Sequence, residues 1–83
     1  MMFIGHAMPK KIALHVGQEI RIGRARHDLT IQQLATAAGL NPATITRIER
    51  GRNRPTPKTL ARLASALNLP ELLERAIREG ADA

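Results

Sequence analysis

Apolar residues recur every three to four positions through most of this chain, in five blocks parted by glycine, asparagine and proline. Ile12, Val16 and Ile20, with Gly23 in the same phase and polar Gln18, Glu19, Arg21 and Arg24 between them, predict a helix over 12–26. Asp28 tolerates turn geometry and ends it. Gly23 weakens that helix by about 1 kcal/mol relative to Ala and marks a place where another helix can come close. The second block has the clearest start. Thr30 followed three residues later by Gln33 forms a capping box, Ile31, Leu34, Ala35 and Ala38 give the apolar face, and Gly39 is a left-handed stop.

Asn41 and Pro42 open the third helix, an N-cap followed by the one helical position that needs no N–H. Ile45 and Ile48 share one side, Ala43, Thr46, Arg47 and Arg50 the other, and Gly51 closes it. Thr56-Pro57 repeats the start signal before Leu60, Leu63, Ala64 and Leu67, and Asn68 is a left-handed stop. Pro70 begins a fifth helix carrying Leu69, Leu72, Leu73, Ala76 and Ile77. The expectation is one all-α, compact five-helix domain over 12–80, with 1–11 an N-terminal extension and 81–83 a tail.

Composition narrows the class. Among 83 residues there is no Cys, Trp or Tyr and a single Phe. The core must be aliphatic, which suits packed helices better than strands, and neither disulfides nor thiolate-bound zinc can staple it. No apolar run reaches the roughly 20 residues of a membrane span, and the opening MMFIGHAM does not read as a signal peptide. A cytoplasmic, nucleoid-associated protein is expected. His6, His15 and His27 lack motif spacing, and no phosphate-binding glycine loop is present, so neither an enzyme, a metal site nor a cofactor is expected.

Thirteen basic against seven acidic residues give a net charge of +6. Arg47, Arg50, Arg52, Arg54, Lys58 and Arg62 face one acid, Glu49, over 47–62, whereas 69–83 is slightly acidic. Such localisation suits a polyanion surface, although a solvated face would look the same by charge alone. The short link Gly39-Leu40-Asn41 forces helices 2 and 3 to cross at about 90–120°, a helix-turn-helix corner. Leu34, Ala35, Leu40, Ile45 and Ile48 fill that corner, leaving the outer face of helix 3, residues 42–50, free to enter a DNA major groove.

That face carries suitable chemistry. Arg47 can fork onto guanine O6 and N7, the alternative being a phosphate contact or a plain surface charge. Thr46 and Ala43 can touch a thymine methyl, and Arg50 can reach base or phosphate. Thr44, Arg52, Asn53, Arg54 and Lys58 are the phosphate candidates, joined by Gln32 and Gln33 at the start of helix 2. Gln33 is more simply explained as the capping partner of Thr30. Lys58 sits in a first helical turn, where the dipole disfavours a cation, and a phosphate would offset that cost.

These residues together resemble a known family. Leu29-Thr30-x-x-x-Leu34-Ala35-x-x-Ala38-Gly39, then Thr44-Ile45-x-Arg47-Ile48-Glu49-x-Gly51, then Pro55-x-x-x-Thr59-Leu60-x-x-Leu63-Ala64-x-Ala66-Leu67 are similar to the lambda-repressor-like helix-turn-helix regulators of the Cro, C1 and Xre type, over roughly residues 14–69. The resemblance implies a five-helix domain, dimeric binding to a near-palindromic double-stranded operator and no enzymatic activity; a transcriptional regulator is expected, a repressor before an activator. It also implies a structural ion pair between Arg24 and Glu49. Ile31 stands where the family usually has a phosphate-binding Gln, so that role is lost or passes to Gln32. Gly23 replaces a usual large apolar residue, a gap for Ile22 or the N-terminal segment to fill.

One reading helix covers about half a turn of DNA, whereas two copies about 34 Å apart reach successive major grooves. A homodimer surface is therefore expected on helix 5, with Leu69 and Leu73 in the core and Leu72 and Ile77 at the partner. Met2, Phe3 and Ile4 either form an arm around that partner or stay disordered. The competing function is that of an antitoxin, which binds a protein partner as well as operator DNA.

Overall fold

Local capping sets where most of the helices begin and stop. The computed structural model describes the backbone of residues 9–81 and the surroundings of residues 15–81. It contains α1 (Pro9–Arg26), α2 (Ile31–Ala38), α3 (Pro42–Glu49), α4 (Pro57–Leu67) and α5 (Pro70–Arg78), with no strand among the described residues. Thr30 Oγ1 accepts from the Gln33 N–H at 3.0 Å while Gln33 Oε1 accepts from the Thr30 N–H at 2.9 Å, the reciprocal box expected before α2. Asn41 Oδ1 accepts from the Ala43 N–H at 2.8 Å and Thr56 Oγ1 from the Thr59 N–H at 3.2 Å, each ahead of a proline in the first turn. Gly39 and Asn68 close α2 and α4 in left-handed conformation, with φ of 69° and 55°.

α1 begins at Pro9, three residues before the expected start, so part of the expected extension is helical. Met2, Phe3, Ile4 and His6 lie outside the described residues, as do positions 82 and 83 of the expected tail. Ala81 is buried against the core, its N–H donating to the Ala76 carbonyl at 3.0 Å.

Val16 and Ile20 of α1, Leu34, Ala35 and Ala38 of α2, Ile45 and Ile48 of α3, and Leu60, Leu63, Ala64 and Leu67 of α4 form one aliphatic cluster, joined by Leu72 and Ala76 of α5. Burying each large aliphatic side chain contributes about 1.5–3 kcal/mol, and this cluster positions α3. Two glycines let α1 reach its neighbours. A side chain at Gly17 would run into the Ile48 carbonyl oxygen, so this is where α1 and α3 touch backbone to backbone. At Gly23 a Cβ would stand 3.3 Å from the methyls of both Leu67 and Leu69. Those two leucines, from α4 and the turn after it, pack where Ile22 or the N-terminal segment was expected to fill the gap; Ile22 is 53% exposed, and residues 1–8 lie outside the described residues.

The phase of α5 differs from expectation. Leu72 is only 3% exposed and packs in the core, so it has almost no surface to offer a partner. Leu73, assigned to the core from sequence, is half-buried, and Ile77, four residues on, is 49% exposed. The physical reason is Ala76, fully buried in α5: its small side chain lets the Leu72–Ala76 edge approach the rest of the domain, which rotates Leu73 and Ile77 outward.

Candidate nucleic-acid interface

α3 is held from one side only. Ile45 and Ile48 are sealed in the core, and Glu49 is buried at 8% exposure. The carboxylate is satisfied there by a bidentate pair: Arg24 Nε donates to Glu49 Oε2 at 2.7 Å, and Arg24 Nη2 donates to Oε1 at 3.0 Å. Arg24 Nη1 also donates to the Leu29 carbonyl at 2.9 Å, so one guanidinium ties α1, the α1–α2 turn and the end of α3 together. The hydrogen bond to Glu49 holds the Arg24 guanidinium above its ordinary pKa, helped by the opposite charge and opposed by burial.

The opposite side of α3 is open. Ala43, Arg47 and Arg50 are exposed and Thr46 is half-buried. Arg50 lies at the C-cap rather than inside the helix, which ends at Glu49. The Thr46 hydroxyl donates back to the Pro42 carbonyl at 3.2 Å, which commits its proton within the helix and leaves its methyl and oxygen lone pairs available.

After α3 the chain folds back on itself. Both the Arg52 and Asn53 N–H groups donate to the Arg47 carbonyl, at 2.9 and 3.4 Å, so the basic loop starts directly from the helix end. Arg52, Asn53 and Arg54 are exposed, followed by buried Pro55, which pins the loop to the domain. Lys58 is exposed in the first turn of α4, and Gln32 and Gln33 are exposed in the first turn of α2. Thr44 is half-buried. The Gln33 side-chain oxygen is occupied by the capping box, so only its amide N–H groups remain to donate outward. Exposed donors thus stand in the first turn of α2, in the loop directly after α3 and in the first turn of α4.

Sequence reasoning passed over Arg62 as a site residue. It is exposed, lies one turn beyond Lys58, and lines with it an open groove of about 630 Å³ floored by Ala37, Ala38, Ala61 and Ala66 and edged by Leu73 and Ile77. The spacing of four residues from Lys58 within a basic run was the available signal. Among the described residues no helix is long and apolar enough to cross a membrane.

The chain is similar to known regulators. A helix-turn-helix family model matches residues 20–73. Over 55 residues the chain is 46% identical to the HTH-type transcriptional repressor RghR of Bacillus subtilis strain 168, a match covering 65% of this chain and 41% of that protein. It is 44% identical over 55 residues to RghRB of the same organism, described as an uncharacterized HTH-type transcriptional regulator, covering 65% of this chain and 40% of that one. The chain therefore spans about two-fifths of the length of these relatives. The crystal structure of the clp gene regulator ClgR from C. glutamicum superposes with a TM-score of 0.68 at 25% identity, covering 95% of this chain and all of that one. With the matched segment running from the middle of α1 into α5 and enclosing the whole α2–α3 corner, the chain belongs to the Cro/C1-type helix-turn-helix family of transcriptional regulators.

Proposed function

We propose that this domain binds double-stranded DNA sequence-specifically, with α3 in the major groove, and regulates transcription as a homodimeric repressor acting at the nucleoid. The observation that carries this reading is the two-sidedness of α3: Ile45, Ile48 and Glu49 are consumed by the fold, while Ala43, Arg47 and Arg50 project from it uncommitted. A guanidinium fork, a hydroxyl-bearing Thr46 and a methyl-sized Ala43 supply the contacts that read base edges. Gln32, the amide of Gln33, Thr44, Arg52, Asn53, Arg54 and Lys58 take phosphates on either side, fixing register without reading sequence. The description of the relative RghR as a transcriptional repressor agrees with this direction of control.

A second copy supplies the second half-site. The outward edge of α5, Leu73 and Ile77 beside the open groove, is the surface for it, replacing the Leu72 and Ile77 pair expected from sequence. Selection of bound duplexes from a random pool tests the reading. The expected outcome is an enriched near-palindrome whose half-sites lie one helical turn apart. Recovery of sequences with no shared motif would overturn base reading by α3.

A further inference from the structure

Arg54 differs from the other cations around α3. Its Nη2 lies 3.6 Å from Oε2 of Glu79, the residue that closes α5. Among the described residues Arg47, Arg50, Arg52 and Lys58 have no such acidic partner. Glu79 is poorly served by its own helix, because a carboxylate at a helix C-terminus faces the negative end of the dipole. The nearest cation one turn back, Arg75, is turned away to Glu19, donating from Nη2 to Oε1 at 2.8 Å. Arg54 is thus the charge that compensates Glu79, across the buried Pro55 that both flank.

We propose that Glu79 is an internal stand-in for a DNA phosphate: it occupies Arg54 in the free domain and thereby lowers affinity for the duplex, an inference that rests on the DNA-binding reading above. Carboxylate and phosphodiester present the same anionic oxygens to a guanidinium, and the two compete for it. The pair is exposed enough, 54% for Arg54 and 35% for Glu79, to be weakly held and readily displaced. Binding through Arg54 therefore has to give up this pairing first. Glu79 therefore sets the strength of binding without contacting DNA favourably.

The test measures binding of the duplex best retained by the wild-type domain, for Glu79→Gln and for Glu74→Gln, which removes the same charge from an exposed position of α5. Glu79→Gln is expected to bind about two- to fivefold more tightly than Glu74→Gln at low salt, with a steeper loss of affinity as salt rises. In an Arg54→Ala background that advantage should vanish. Equal affinities for the two glutamine variants, or an advantage that persists without Arg54, would overturn the inference alone. Failure of the wild-type domain to retain any duplex would overturn the DNA-binding reading, and this inference with it.

Discussion

Arg47 and Glu49 stand two residues apart on α3 and face opposite demands. Arg47 is exposed and makes no ion pair among the described residues, so Arg47→Ala leaves the fold intact. Under the proposed function it weakens operator binding by about 1–3 kcal/mol and relaxes selectivity at one position per half-site. Competition with single-base operator variants checks this: equal weakening on every sequence would assign Arg47 to phosphate instead. Glu49→Ala strands the Arg24 guanidinium, 20% exposed, with the Leu29 carbonyl as its remaining acceptor. A loss of about 3 kcal/mol is expected, read as a lower denaturant midpoint at unchanged slope. The Arg24 pKa is raised in the folded state, so its contribution is fully present below the unfolded value. It is lost only as pH climbs through the raised one, far into the alkaline range.

At the scale of elements, each helix obeys signals of different range. The starts of α2, α3 and α4 were legible because Thr30 with Gln33, Asn41 with Pro42, and Thr56 with Pro57 act within three residues of themselves. Gly17 was not legible. Its necessity comes from the Ile48 and Glu49 carbonyls of α3, about thirty positions away in sequence, and no local pattern announces them. Gly17→Ala pushes α1 off α3 and is expected to cost about 1–3 kcal/mol, despite the higher helix propensity of Ala. A thermal midpoint equal to or above wild type would show that the two helices separate without penalty. α5 was misphased because Leu69, Leu72, Leu73 and Ile77 are all apolar, and periodicity cannot rank four candidates for one face. Ala76 held the answer, since a small residue marks the line of closest approach. The partner of Arg54 was equally hidden, as Glu79 meets it only through the docking of α5.

At the scale of the whole molecule, the proposed homodimer places its demands on α5. Ile77 is half exposed at an open groove, so Ile77→Asp should leave monomer stability within about 0.5 kcal/mol of wild type. If α5 joins two copies, the same change shifts sedimentation towards monomer and lowers affinity for a full operator far more than for a half-site. An unchanged sedimentation coefficient would move the dimer surface elsewhere.

The one-sided anchoring of α3 also makes its outer face a portable cassette. Asn41, Pro42, Ile45, Ile48 and Glu49 fix the helix, and Ala43 contributes to that only its backbone N–H. Under the proposed function, side chains at positions 43, 47 and 50 can therefore change with the target without disturbing the anchoring. On that reading, exchanging these three side chains retargets the domain while its thermal tolerance is kept.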